Sequence, residues 1–283
     1  MSYVKRNCHE YNKNLINRGN LFLWIDQKVL NQWIVKKKKR GRPAFSSSVI
    51  QAGWFLKTFY RCPFRALQGF INSLTRLIDQ EVSSPHYSVF CKRAAEAAAL
   101  LPKLSKRRPS HLIIDSSGLK IQGEGEWKDR VHRSKTSKSW IKLHLAIDAK
   151  TQEITAAVFS LVEGSSKRVK ILYADGAYDR KKVREYLHQI DPCIPPRRQG
   201  ALHSEQSMKS RNDAFLAIRG LGNDEKGFKL WKKLKGYHKR SLVETTFSRL
   251  KGFFGNRVLC KKWSHQNSEI LFRLHALNRM FQF

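Results

Sequence analysis

The chain reads Tyr237-His238-Lys239-Arg240-Ser241-Leu242-Val243-Glu244 near its end and continues to Arg249-Leu250-Lys251. On a helix with 3.6 residues per turn, spacings of four, three and four keep side chains on one face. Four apolar residues follow that spacing and are expected in the core: Val243, Phe247, Leu250 and Phe254. Residues seven apart form a second stripe beside it, which carries Tyr237, Glu244 and Lys251, with Arg240 nearby. We expect one acid among cations and a phenol at the edge of a buried helix face.

The same stretch has a second interpretation. The run 241–244 matches a capping box, in which Glu244 returns a hydrogen bond to the first turn of a helix capped by Ser241. Such a helix would exclude Tyr237 and Arg240. These residues alone fit both interpretations.

The charge of the chain points to a polyanionic partner. Its 283 residues include 55 Lys and Arg against 22 Asp and Glu, a formal net charge of +33. Such a charge is tolerated most easily when nucleic acid neutralises it, and binding should then weaken with salt. The charge is net +16 over residues 1–110 and +17 over 111–283, which excludes a basic tail on a neutral domain. An anionic membrane surface is the competing partner, but no apolar run approaches the roughly 18–20 residues of a spanning helix.

The N-terminus and the cysteines predict a cytoplasmic protein. Residues 1–20 are polar and do not resemble a signal peptide. The five cysteines are widely spaced and include no Cys-x-x-Cys pair, which favours reduced thiols over a zinc site or a disulfide framework: Cys8, Cys62, Cys91, Cys193 and Cys260.

The first part of the chain has the pattern of a helical DNA-binding region. Residues 49–60 and 64–78 read as two helices across the break at 61–63, and a third follows at 88–101. This order suits a helix-turn-helix module, although ordinary helix packing gives the same pattern. Between a basic run and the first of these helices lies Arg40-Gly41-Arg42-Pro43, where Arg40 and Arg42 are candidates for a narrow minor groove. A solvated basic linker is the alternative.

The pattern changes to strands after the basic linker 103–108. We expect strands at 111–115, 140–148, 154–160 and 169–175, of which the first three form a meander. The first strand ends in Asp115, with a turn at 116–118, and the fourth ends in Asp175. Carboxylates at strand ends reach the rim of a sheet, and a helix beside that rim can bring Glu244. Three carboxylates in so basic a protein are suited to Mg²⁺, although each acid alone could merely support a turn.

At this point the sequence resembles the bacterial insertion-sequence transposases of the DDE class, in the branch marked by Tyr-x2-Arg-x3-Glu-x6-Lys. Tyr237, Arg240, Glu244 and Lys251 carry that signature at full spacing. Further matching motifs cover roughly residues 40–283: His-Leu-Ile-Ile-Asp-Ser-Ser-Gly-Leu-Lys, Gly-Glu-Gly-Glu-Trp-Lys, Lys-Leu-His-Leu-Ala-Ile-Asp, Ala-Asp-Gly-Ala-Tyr-Asp and Ile-Pro-Pro-Arg.

The resemblance implies an α/β, ribonuclease H-like catalytic domain at 109–283, with a mixed five-stranded sheet flanked by helices, after a helical DNA-binding region at 1–108. It implies that Asp115, Asp175 and Glu244 bind two Mg²⁺ ions, with Mn²⁺ as a substitute. It further implies that Tyr237, Arg240 and Lys251 contact the inverted repeats at the element's ends, which the enzyme cuts and joins to target DNA. Because two ends must meet, the resemblance implies at least a dimer on DNA, in the cytoplasm at the nucleoid.

One departure from the family pattern leaves alternatives open. Only residues 163–168 separate Val162 from Val169, whereas a parallel crossover usually needs a dozen or more residues. Unless the third strand is shorter than expected, the fourth strand cannot easily reach its place. The chain is then either a remodelled enzyme or an inactive copy with a misplaced Asp175 that only binds DNA. A general nuclease of the same fold and a basic RNA-associated structural protein are the remaining candidates.

Overall fold

A computed structural model of the protein describes residues 8–35, 44–78, 82–107, 109–121, 140–157, 169–187, 190–197, 202–222 and 224–281. The helices of this part are α1 (Cys8–Asn17), α2 (Gln27–Asn31), α3 (Ser47–Tyr60), α4 (Phe64–Leu77), α5 (Tyr87–Lys92), α6 (Ala94–Ala99), α7 (Lys181–Tyr186), α8 (Lys209–Gly220), α9 (Glu225–Leu234), α10 (Ser241–Phe254) and α11 (Trp263–Phe281). The strands are β1 (Ile34–Val35), β2 (Ala44–Phe45), β3 (His111–Ile121), β4 (Trp140–Asp148), β5 (Ile154–Ala157), β6 (Ile171–Ala174), β7 (Asp191–Cys193) and β8 (Arg257–Val258).

The described residues divide into two compact units. A helical unit contains those of Met1–Pro102, Lys120–Ser139 and Leu250–Phe283, and a sheet unit contains those of Lys103–Leu119 and Trp140–Arg249. The chain therefore enters and leaves the helical unit more than once. The predicted division into functional domains at residue 108 stays a prediction. No helix in the described ranges is long and apolar enough to cross a membrane.

The helical unit is built around contacts of α3 with α11. Ser46 caps α3 by accepting a hydrogen bond from the Val49 N–H, as its position before an apolar run predicts. The Trp54 ring of α3 stacks on Phe272 of α11, with ring centroids 5.3 Å apart, and both side chains are fully buried. This aromatic packing joins the closing helix to the N-terminal helices.

The N-terminal helices follow the predicted order with one difference. Helix α3 ends at Arg61, which adopts the left-handed region with a φ of 52°, and α4 begins after Pro63. The single third helix predicted at 88–101 is instead two short helices, α5 and α6. The helices are therefore present, and their function as a DNA-binding helix-turn-helix stays a prediction.

The sheet has the strand order β5-β4-β3-β6-β7, and β8 pairs with the far end of β3 within the helical unit. Strands β4 and β5 are antiparallel, whereas β6 is parallel to both β3 and β7. The Ala149 N–H, just past β4, donates to the carbonyl of His111 at the start of β3, so these neighbours meet as antiparallel strands do. The result is a mixed sheet, as predicted, and it is compatible with a ribonuclease H-like fold.

Strand β3 is longer than predicted, and this corrects the position of Asp115. The strand runs to Ile121, so Asp115 lies inside it and 116–118 is not a turn. The small residues have another role, because a Cβ on Gly118 would lie 2.8 Å from the ring of Trp140. Gly118 lets the aromatic side chain at the start of β4 lie against β3.

The prediction that the short crossover keeps the fourth strand from its place in the sheet was wrong. Strand β6 pairs with β3 in parallel register, so the fourth strand does reach its place. The described part of the third strand ends at Ala157, and residues 158–170 lie between it and β6. That interval is close to the dozen residues that a parallel crossover needs. Residues 158–168 lie outside the described part, as do Arg40, Arg42 and the acidic run 123–127.

Two helices, α8 and α9, lie between β7 and the 3₁₀ turn Tyr237–Arg240. Helix α9 begins at Asp224, whose side chain accepts a hydrogen bond from the Gly227 N–H at 2.6 Å. Gly227 lies against the chain before it, because a Cβ there would be 2.5 Å from the carbonyl of Leu221. Helices α8 and α9 are followed by the 3₁₀ turn Tyr237–Arg240, which leads into α10.

Candidate active site

The two aspartates are brought together by the register of parallel strands in the sheet unit. Ile114 of β3 pairs with Ala174 of β6, and the next residues along the two strands are Asp115 and Asp175. Because neighbouring strands lie about 4.8 Å apart and successive side chains alternate in face, both aspartates occupy adjacent positions on one face. Each uses one oxygen locally: Oδ1 of Asp115 accepts from the Ser116 N–H at 2.8 Å, and Oδ1 of Asp175 from the Gly176 N–H at 2.6 Å.

Glu244 lies in the first turn of α10. A 3₁₀ turn over Tyr237–Arg240 leads into this helix, and the Ser241 hydroxyl donates to the His238 carbonyl at 2.8 Å. Neither prediction for the stretch was fully right, because Tyr237 and Arg240 precede the α-helix, yet Glu244 binds Arg240 instead of returning to the first turn. The predicted apolar stripe is confirmed, since all four of its side chains are buried: Val243, Phe247, Leu250 and Phe254.

Arg240 connects two of the predicted catalytic carboxylates. Its Nη1 donates to Oδ2 of Asp115 at 2.9 Å, and its Nη2 donates to Oε1 of Glu244. The Glu244 side chain is 52% exposed, whereas that of Asp115 is 17% exposed. One guanidinium group thus forms ion pairs with two carboxylates, of which that of Asp115 is largely buried and that of Glu244 is exposed to solvent.

The pKa of Asp115 is affected by both other predicted catalytic acids. Burial is the largest cause that raises the pKa of Asp115, while the Ser116 N–H and Arg240 act in the opposite direction. Repulsion from Asp175 and from Glu244 raises it further. The site therefore concentrates negative charge that one arginine neutralises in part, which favours an additional cation.

Tyr237 lies beside this group as a neutral phenol. Burial raises its pKa to about 12, with further contributions from Asp175 and Asp115, against the lowering effect of Arg240. The ammonium group of Lys232 on α9 lies 5.3 Å from the centre of the Tyr237 ring. Lys251, the last residue of the predicted signature, lies seven residues beyond Glu244 on α10, among the residues of the helical unit.

Comparison with known families decides the identity of the chain. A model described as a transposase DDE domain matches residues 106–279, which include both aspartates and Glu244. A second model of the same description matches residues 16–124. The chain belongs to the DDE transposase family. No solved structure matches it.

Membership of this family implies a nuclease that acts in DNA transposition, and thus a DNA-binding protein. Enzymes of this family typically use a divalent metal ion. The carboxylate oxygens of Asp115, Asp175 and Glu244 are the kind of donor that hard divalent cations prefer. As the side chains stand, no three His, Cys, Asp or Glu residues of the described part are close enough to hold a metal. Arg240 lies between two of the carboxylates, so their charge is already partly neutralised.

Sequence reasoning missed three hydrogen-bonded side chains of the transposase, which lie on the face of the sheet opposite the aspartates. The phenol of Tyr178 lies 2.8 Å from Nδ1 of His144 on β4 and hydrogen-bonds the Ser116 side chain. Burial raises the pKa of Tyr178 to about 12 and lowers that of His144, so both groups are neutral at pH 7. The available signal was His144 within the apolar strand pattern Leu143-His144-Leu145-Ala146, because a polar side chain on a buried face needs a partner.

A buried ion cluster anchors the segment after Asp175. Asp179 accepts hydrogen bonds from Arg184 at 2.9 Å and from Arg211 at 3.2 Å, and all three side chains are almost fully buried. Arg184 also donates to the carbonyl of Ile194 at 3.0 Å. The cluster ties the turn that follows Asp175 to α7, α8 and the end of β7. No motif spacing pointed to it, since its partners are up to 32 residues apart.

Proposed function

We propose that this DDE transposase cleaves DNA at the terminal inverted repeats of its insertion sequence and joins the 3′-hydroxyl ends to target DNA. It belongs, on this proposal, to the bacterial branch with the Tyr-x2-Arg-x3-Glu-x6-Lys signature. The observation that carries the proposal is that Asp115 and Asp175 directly follow the paired residues Ile114 and Ala174, while Arg240 joins Asp115 to Glu244. An inactive copy had been expected to misplace Asp175, but Asp175 directly follows the parallel register of β6 with β3.

Asp115, Asp175 and Glu244 would hold two Mg²⁺ ions, for which Mn²⁺ can substitute. Divalent cations at such a site polarise the phosphoryl group and neutralise the charge that develops during in-line displacement. Asp115 and Asp175 each accept a hydrogen bond from the following N–H with one oxygen, which restrains the orientation of the carboxylate. The two aspartates would therefore serve as ligands that are oriented before DNA arrives.

Arg240 has two roles in this proposal. Without DNA its guanidinium stabilises the repelling carboxylates Asp115 and Glu244. With divalent cations held at the site, the guanidinium would be available to bind a phosphate of the element end, since its fork geometry suits either anion. Tyr237 and Lys251 contact the same end, one as a phenol donor and one as a point charge.

The remaining DNA contacts come from the N-terminal part of the chain. Helices α3 and α4 act as a helix-turn-helix module, and Arg40 and Arg42 enter the minor groove. This assigns residues 1–108 to DNA binding and 109–283 to catalysis. The transposase works as at least a dimer on two DNA ends, in the cytoplasm at the nucleoid, and the net charge of +33 makes this binding sensitive to salt.

The test is a cleavage and joining assay with labelled DNA that carries the repeats flanking the gene. Wild-type protein should nick this DNA and join it to a target plasmid only with Mg²⁺ or Mn²⁺. The Glu244→Gln protein should bind the DNA as well as the wild type does. Its cleavage rate should fall on the order of 10³-fold, because the activation free energy rises by about 4 kcal/mol.

Three other results would each contradict the proposal in a distinct way. Salt-sensitive binding without cleavage by the wild type identifies an inactive copy. Cleavage without joining and without preference for the repeats identifies a general nuclease. Preference for RNA, with no metal requirement, identifies an RNA-associated protein.

A further inference from the structure

A chain of hydrogen bonds joins three elements of the sheet unit next to the two aspartates. The Ser116 side chain on β3 bonds the phenol of Tyr178, and that phenol lies 2.8 Å from Nδ1 of His144 on β4. Tyr178 ends the short 3₁₀ turn Gly176–Tyr178, which Asp175 caps. One phenol thus connects the neighbour of Asp115 with the turn that begins at Asp175.

This chain lies on the opposite side of the sheet from the aspartates. Side chains alternate in face along a strand, so Ser116 shares a face with Leu112 and Ile114, and His144 shares one with Ala146. Leu112, Ile114 and Ala146 belong to one buried cluster, against which the Tyr178 ring also packs. Asp115 and Asp175 point to the opposite face of the sheet, so the hydrogen-bond chain lies behind them and does not occupy their site.

The donors and acceptors of the chain have a consistent direction. Tyr178 and His144 are both neutral, so the phenol has one proton to donate and Nδ1 has a lone pair to accept it. The Ser116 hydroxyl then donates to the phenol oxygen. This assignment uses the single phenol proton and fixes His144 as the tautomer that carries its proton on Nε2.

We propose that Tyr178 is a positioning residue that sets the separation of Asp115 and Asp175 through Ser116 and His144. The inference rests on the proposed function, because it treats the aspartates as cation ligands. Groups that hydrogen-bond a metal ligand directly typically change metal affinity or activity by about 10–100-fold, and Tyr178, which acts through Ser116 and His144, should lie at the lower end of that range. Packing of the ring alone would not require the hydroxyl, because a phenylalanine fills the same apolar contacts.

The experiment measures Mn²⁺ binding to the full chain without DNA by electron paramagnetic resonance, together with melting temperature and cleavage of repeat DNA. Tyr178→Phe removes only the hydroxyl and should weaken Mn²⁺ binding about tenfold or more. Tyr186→Phe makes the same change at an exposed position of α7 and should leave Mn²⁺ binding and cleavage as in the wild type. The melting temperatures of the two variants should agree with that of the wild type.

His144 supplies a second, independent test. His144→Asn keeps an acceptor oxygen close to the position of Nδ1, whereas His144→Leu keeps the bulk and removes the acceptor. The asparagine variant should retain most of the Mn²⁺ affinity, and the leucine variant should lose as much as Tyr178→Phe does.

The outcomes separate this inference from the proposed function. Wild-type affinity and cleavage in Tyr178→Phe overturn the positioning role while the proposed function stands. Equal losses in the asparagine and leucine variants, with lowered melting temperatures, also overturn it, since they show a structural role only. A wild-type protein that neither binds Mn²⁺ nor cleaves DNA overturns the proposed function, and the inference with it.

Discussion

Two arginine–glutamate pairs of this transposase have the same spacing and opposite surroundings. In the helical unit, Glu269 and Arg273 form a pair at 2.5 Å whose side chains are only 2% and 3% exposed. In the sheet unit, Arg240 and Glu244 form a pair whose side chains are 22% and 52% exposed. Both pairs lie four residues apart at a helix, so spacing alone does not distinguish them.

The difference lies in what else each carboxylate binds. Glu269 accepts hydrogen bonds from the backbone N–H groups of Leu259 and Cys260. Burial acts to raise its pKa, but Lys57 and Arg273 outweigh burial and the pKa is lowered. The backbone and two cations therefore hold that charge inside the unit. Glu244 instead faces solvent and raises the pKa of Asp115 by repulsion, and the proposed function has other cations replace its arginine.

The largest expected effect comes from breaking the buried pair. Arg273→Met leaves Glu269 without its closest cation and the carbonyls of Gly255 and Arg257 without their donor. Removing one partner of a buried ion pair costs about 3–5 kcal/mol, so the free energy of unfolding in urea should fall by that amount.

Glu244→Gln is the matched control for this prediction. It breaks the pair with Arg240 at a half-exposed position, where ion pairs contribute about 0–1 kcal/mol, so the unfolding free energy should change little. Equal destabilisation by the two substitutions would remove the distinction between the pairs.

A smaller effect is the pH dependence of the unfolding free energy, which we expect to arise from a buried histidine of the helical unit. Burial, with Arg279 nearby, lowers the pKa of His275 on α11 to about 4. In the unfolded chain the pKa of this histidine is near 6.5, so acid protonates the unfolded state before the folded one. The free energy of unfolding is therefore highest above pH 6.5 and declines as the pH falls towards 4. The loss at pH 5 should be about 2 kcal/mol relative to pH 7.

Urea unfolding at pH 7 and pH 5 measures this loss. His275→Gln should reduce the difference between the two pH values by about 2 kcal/mol. His203→Gln, which changes an exposed histidine, should retain the wild-type difference. An unchanged difference in His275→Gln would place the acid sensitivity elsewhere.

The smallest expected effect tests the exchange at Arg240. Arg240→Gln removes the cation that competes for Asp115 and Glu244, so Mn²⁺ should bind the DNA-free protein more tightly by about tenfold, or 1.4 kcal/mol. The same variant should cleave DNA more slowly, because a phosphate contact is lost. Arg240→Lys should lie between the two in Mn²⁺ affinity. Weaker Mn²⁺ binding in Arg240→Gln would show that the arginine orients the carboxylates and does not compete for them.

The sequence predicted those parts of the fold that depend on local periodicity. The buried stripe from Val243 to Phe254 was predicted because its spacing follows helix geometry. Strand β4 was predicted at its observed bounds because most of its residues are apolar. Asp175 was predicted correctly at the end of β6, because Gly176 marks the turn.

Features that depend on tertiary contacts were missed. Strand β3 continues through Ser116 and Gly118, where the ring of Trp140 lies against Gly118, and no local pattern reports that contact. The pairing of Arg240 with Asp115 joins residues 125 apart in sequence. Likewise, Tyr178 meets His144 only after β6 takes its place beside β3.

The most direct test of the account exchanges one proposed ligand for a softer one. Asp115→Cys places a thiolate where the carboxylate was, and thiolates bind Mn²⁺ far better than Mg²⁺. If Asp115 holds the cation, this variant should cleave repeat DNA with Mn²⁺ and remain inactive with Mg²⁺, while the wild type uses both. Equal activity of Asp115→Cys with the two ions, or wild-type cleavage that needs neither, would contradict the assignment of the carboxylate site.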